Sequence, residues 1–191
     1  MLERRSLGLV LAGLSLAGCA TSAVPNASSP QALAGAPPPA LRLTALQGGT
    51  FLLQTAQLGA TKAQRPELQR FSEFEASEQQ GIMQAMALAG HSVAPPPLPP
   101  EKAAMLQQLQ AAGPGDFDRL FIAAQTQGHQ EALPVYTAIA QSTASPAADR
   151  SIALLAADRI REHIAILEFF ASMPAQQPEP APTGRSRRRA G

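Results

Sequence analysis

Apolar positions along this chain recur three and four residues apart, and no stretch alternates with period two over the length of a strand. Four long segments carry that helical spacing. They run from about Leu41 to Ala63, from Pro66 to about Ala89, from near Asp116 to about Gln141, and from Ser145 to about Ser172. Pro66 suits the first turn of a helix, where a missing N–H loses nothing. The stretch "GHSVAPPPLPP" after Ala89 cannot continue one. Asp116 is a candidate N-cap, and so is Ser145 with Pro146 behind it. A shorter helix is expected from about Glu101 to Ala112, ending at "GPG", and Pro134 is expected to kink or split the third long segment.

Setting residues about 100° apart locates the faces that each helix should bury. In the second long segment these are Leu68, Phe71, Ile82, Met86 and Ala89. In the third they are Phe117, Phe121, Ala124, Gly128, Ala132, Val135 and Ile139. In the last they are Ile152, Leu155, Ala156, Ile166, Leu167 and Phe170. The predicted fold is all-α: an antiparallel four-helix bundle over residues 41–172, with a short extra helix in its middle connection.

The apolar stripes have polar interruptions. Glu75 and Gln79 fall near the centre of the second segment's face, with Glu78 at its edge. Arg159 and His163 lie one turn apart inside the last stripe, and His129 sits on the margin of the third, near Tyr136. An isolated buried charge costs on the order of several kcal/mol, so such groups must find partners. Glu75, Gln79, His129, Arg159 and His163 are therefore expected to form a polar layer across mid-bundle. Two readings of that layer stand side by side. In one, Glu75 and Arg159 form a structural ion pair, the histidines hydrogen-bond within the core, and no cofactor is held. In the other, His129, His163 and a carboxylate bind a transition-metal ion, which imidazole and carboxylate ligands suit. His91, in the proline-rich loop, is expected to be solvated.

Some chemistries are absent from the sequence. There is no GxSxG, no HExxH and no phosphate-binding glycine loop. A dinuclear carboxylate site wants acids from all four helices and two Glu-x-x-His pairs. Residues 41–63 contain no acid, and the positions three before His129 and His163 are Thr126 and Ile160.

The first residues change the picture of where the bundle resides. Residues 1–6 carry Arg4 and Arg5, residues 7–16 are uncharged and apolar, and Cys19, the sole cysteine, follows Ala17 and Gly18. A basic start, an apolar run of roughly ten residues and small residues behind it make an export signal. The run is too short to span a bilayer as a helix, which takes about 20 residues. "LAGC" resembles the bacterial lipoprotein signal, which implies cleavage after residue 18 and a lipid attached through the Cys19 thiol. Ala20, in place of aspartate, implies the outer membrane by the same resemblance, with the bundle facing the periplasm. "ERRSLG" is a partial match to the twin-arginine export signal; an ordinary basic leader also accounts for it.

A lone cysteine leaves no intramolecular disulfide, so stability must come from packing. Residues 19–40 are rich in Pro, Ser and Ala and, beyond Cys19, contain no charge, which suits a tether. Residues 41–172 hold nine basic side chains against twelve acidic ones. Residues 173–191 are proline-rich and end in Arg185, Arg187, Arg188 and Arg189. That cluster is either a solvated terminus or a contact for anionic envelope polymers. Nucleic acid is not expected as a partner, because export takes the chain away from it and no aromatic side chain accompanies the arginines.

Three segments, "KAQRPELQRFSEFEASEQQ" (62–80), "DFDRLFIAAQTQGHQEAL" (116–133) and "DRIREHIAILEFF" (158–170), together resemble the bacterial family called domain of unknown function 4142. The resemblance covers roughly residues 45–171. It implies an exported protein with a ferritin-like helical bundle. It also implies an acid–histidine pair in the second helix, another in the third and a histidine in the last. Here Glu78 and Gln79 stand at the first pair, Gly128 and His129 at the second, and His163 at the final position, so two of the five residues differ in kind. The expected function is a non-enzymatic envelope-interaction or stress-response module held to the membrane through Cys19. A metal-binding or redox bundle using His129 and His163 is the alternative.

Overall fold

In the computed structural model, residues 38–174, together with Leu33 and Ala36, are described. Cys19, the expected export signal, most of the expected tether and the arginine cluster lie outside the described residues. Five helices follow one another: α1 (Pro38–Lys62), α2 (Pro66–Leu88), α3 (Pro100–Ala111), α4 (Pro114–Gln141) and α5 (Ala147–Ser172). No strand occurs among the described residues. The four long helices form an antiparallel bundle. α1 packs against α2 and α4, α4 packs against α5, and α2 touches α5 only sparsely. α3 lies outside, against α1 and α4.

Polar contacts at the helix ends fix the directions. Asp118, near the start of α4, accepts hydrogen bonds from the backbone N–H groups of Gln64 and Arg65 at 2.8 and 3.1 Å, capping the start of α2. Arg65 in turn donates to the Phe170 carbonyl at the end of α5. At the opposite end, Arg42 near the start of α1 pairs with Asp149 in the first turn of α5 at 3.1 Å. So α1 and α5 run one way, and α2 and α4 the other. Residues 89–99 and α3 make the single long crossover that this arrangement needs. Lys62 closes the top of α3 by donating to the carbonyls of Leu109, Gln110 and Ala112. Lys102 pins α3 in place, 2.7 Å from Glu131 and 4.8 Å from the centre of the Phe51 ring.

The core follows the apolar stripe on α4; on α2 Leu68 and Phe71 are buried, whereas Ile82, Met86 and Ala89 are only partly covered. Leu68, Phe71, Phe117, Phe121 and Leu167 form one end of it; Leu41, Val135, Ile139, Ala153, Ala157 and Ile160 form the other. Close approach of α4 to α1 depends on Gly128: a Cβ there would lie 2.6 Å from Leu52 Cδ2.

Several expectations need correction. α5 is turned relative to the stripe read from its large side chains. It buries Ala153, Ala156, Ala157, Ile160, His163, Leu167 and Phe170, while Leu155 is 73% exposed and Ile166 40%. Alanines allow α5 to seat closely on α4, and that contact outweighs burying larger residues elsewhere. Pro134 does not split α4, which is helical throughout. The carbonyl it leaves free belongs to Gln130, an exposed residue within reach of water. Gly113 and Pro146, rather than Asp116 and Ser145, occupy the N-cap positions of α4 and α5.

Candidate metal centre

Three buried side chains from three helices converge within the bundle: Glu75 from α2, His129 from α4 and His163 from α5. Each is placed by helical spacing, on the same face as Leu68 and Phe71, Phe121 and Ala132, or Ala156 and Leu167 respectively. Glu75 is completely shielded from solvent, and His129 is 1% exposed. The sequence expectation of His129 at a margin is thus corrected: it faces the interior. His163 Nδ1 stands 2.7 Å from Glu75 Oε2, and His129 Nε2 stands 3.3 Å from the same oxygen. The two imidazole nitrogens are 3.1 Å apart. The Phe71 ring covers the cluster edge-on, its centre 5.1 Å from that of His163.

The outer atoms of these groups are also engaged. His129 Nδ1 lies 2.8 Å from the Gln125 carbonyl. A carbonyl only accepts, so Nδ1 carries a proton and donates to it. Gln79 Nε2 donates to Glu75 Oε1 at 2.9 Å. His163 Nε2 faces Glu78 Oε2 at 3.6 Å. Gln125 is itself locked, its side-chain amide donating to the Leu52 carbonyl and Thr55 Oγ1. Yet Glu75 Oε2, the atom nearest both imidazoles, has no aligned hydrogen-bond donor among the described residues. A carboxylate oxygen and an imidazole lone pair repel at this range unless a proton or a cation stands between them.

The electrostatics divide the two acids. Burial pushes the Glu75 carboxyl up, but contact with His129 and His163 outweighs it and brings the group down to about 2, so Glu75 is ionised. Glu78 goes the other way: burial, aided by the Glu75 charge, raises its carboxyl above the usual range despite His163 and Arg159. Tyr136, buried beside them, is pushed up to about 12 by desolvation and by the two acids.

The structure thus brings Glu75, Gln79, His129 and His163 together. It leaves Arg159 out. That side chain is 53% exposed, reaches Glu78 at 3.5 Å and bonds Glu162, and no Glu75–Arg159 pair forms. Position 159 shares the outer face of α5 with Leu155, Glu162 and Ile166, so the turn of the helix that exposes those exposes it. His91 is also corrected. It is not solvated but lies 2.6 Å from Asp149, which is buried and also held by Arg42. Gln125 was missed in the sequence, although it stands four residues before His129 and hence on the same face.

The profile of the family described as domain of unknown function (DUF4142) matches residues 22–168. No curated protein and no solved structure matches the chain. The three quoted segments, the all-helical bundle and a match spanning most of the sequence agree, and the chain belongs to the DUF4142 family.

Proposed function

We propose that this chain is an exported, lipid-anchored protein whose bundle holds one divalent first-row transition-metal ion between Glu75, His129 and His163, in a binding rather than a catalytic role. One observation carries the metal reading: Glu75 Oε2 is buried, and imidazole nitrogens from two other helices converge on it at 2.7 and 3.3 Å. Two histidines and a glutamate are a donor set that zinc and its neighbours accept. Ligands at about 2.0–2.1 Å in a tetrahedron sit about 3.3–3.4 Å apart. The separations here are 2.7, 3.1 and 3.3 Å, so only the His163–Glu75 edge must open appreciably. The outer partners suit the same role: the Gln125 carbonyl and the Gln79 amide each orient one ligand from behind, and Glu78 stands 3.6 Å behind His163. A bound ion would supply positive charge to the buried carboxylate and stabilise the folded chain in proportion to its affinity.

The family description assigns no activity. The delivery half of the proposal rests on the lipoprotein-like "LAGC" at Cys19, with Ala20 pointing to the outer membrane. Arg185, Arg187, Arg188 and Arg189 would meet anionic envelope polymers from the tail. The metal reading is checked by the metal content of the purified full chain. About one ion per chain is expected, with loss of it in the His129→Ala, His163→Ala double variant. A folded wild-type chain that takes up neither zinc nor cobalt, or a double variant that takes up as much, would overturn it.

A further inference from the structure

A second site lies nearer the end of the bundle where α1 and α5 begin. A cavity of about 310 Å³ opens there between α1, α2, α4, α5 and the loop at residues 91–93. Its lining along α1 runs from Pro39 to Gly49, and within it Arg42 and Gly49 stand about 10 Å apart at the helical rise. Its walls are aliphatic, formed chiefly by Leu46, Ile82, Met86 and Ile139. Its two ends are polar and differ in character. Arg42 and His91 stand at the more exposed end, which forms the mouth, with Asp149 buried between them. Arg42 spends Nη1 on Asp149, and its other donors make no hydrogen bond among the described residues.

At the floor stand Tyr136 and Gln79, 7% and 5% exposed. A carboxylate only accepts hydrogen bonds, so Gln79 must present Nε2 to Glu75, which leaves Oε1 on its other side, toward Gly49. Neither Gln79 Oε1 nor the Tyr136 hydroxyl is hydrogen-bonded among the described residues. Buried tyrosine hydroxyls ordinarily have a partner. Gln79 and Tyr136 thus bring one free acceptor and one free hydroxyl to the lining of an apolar chamber. A hydroxyl group is the ligand group that satisfies both, accepting from Tyr136 while donating to Gln79.

We propose that this cavity binds an elongated apolar monocarboxylate bearing a hydroxyl at its far end. The carboxylate sits at Arg42 in the mouth, the aliphatic chain lies along Leu46 and Ile82, and the hydroxyl rests between Tyr136 and Gln79. The length fits a pocket of this depth, and the size and lining match those of small-molecule sites generally. The inference stands apart from the metal reading, since it uses none of His129, His163 or the orphaned oxygen.

The chain supplies its own reporter, because Tyr136 is its only tyrosine and it has no tryptophan. The experiment titrates the full chain with 8-hydroxyoctanoate, octanoate and octanamide, following Tyr136 emission and the heat of binding. 8-Hydroxyoctanoate is expected to bind about tenfold more tightly than octanoate, and octanoate about tenfold more tightly than the uncharged octanamide. Arg42→Gln is expected to erase the advantage of octanoate over octanamide. Tyr136→Phe, read by heat alone, is expected to erase that of the hydroxy acid over octanoate. Circular dichroism of the Arg42→Gln variant guards against a general loss of structure, and Leu155→Gln, on the exposed face of α5 and outside the cavity, should keep both rankings. Absence of binding by all three probes, or equal affinities for the three in the wild-type chain, would overturn the proposal.

Discussion

At the residue scale, Glu75 carries most of the chemistry. Its carboxyl is held at about 2 in the folded chain against an ordinary 4.5. A depressed folded value means that the unfolded chain takes the proton first as the pH falls. The stabilisation from Glu75 is therefore complete above about 4.5 and is lost as the pH falls toward 2. Urea unfolding of the metal-free chain is expected to show that slope, and Glu75→Gln to flatten it. An unchanged slope in the variant would assign the acid sensitivity to other groups. Glu75, Gln79 and His163 were legible in the sequence because polar side chains on a buried face stand out. Arg159 was misplaced because the face of α5 was set by its larger apolar residues. The alanines that decide which side is buried carry little weight in a hydrophobic pattern.

At the element scale, the long helices could be read from spacing and from Pro66 and "GPG". Their seating could not. α5 buries Ala156 at 4% exposure and leaves Leu155 at 73%. Leu155→Gln is expected to change stability by less than about 0.5 kcal/mol. Ala156→Leu should cost about 1–3 kcal/mol by forcing α5 off α4. Thermal melts of the two variants check the facing, and the reverse order would mean that α5 is rotated as its large residues suggest. A second device is a cap supplied from a distant part of the chain. Asp118 of α4 holds the N–H groups of Gln64 and Arg65. Asp118→Ala is expected to lower stability by about 1 kcal/mol, a fall of roughly 2–4 °C in melting temperature. No local sequence signal announces this cap, because its acceptor lies more than fifty residues from its donors.

At the scale of the whole molecule, an up-down-down-up bundle places three helices around one buried point and closes its α2–α5 side only sparsely. Glu78, on that side, is 26% exposed and stands 3.6 Å from His163. Delivery is a separate matter. Cys19→Ser is expected to move the chain from the membrane fraction to the soluble one, and an unchanged distribution would refute the anchor. The central claim concerns the point between Glu75, His129 and His163. Its most direct test is anomalous diffraction at the metal edge from crystals grown with zinc. The account predicts one peak at about 2.0–2.1 Å from Glu75 Oε2, His129 Nε2 and His163 Nδ1. A well-ordered bundle with no peak among these three atoms would contradict it.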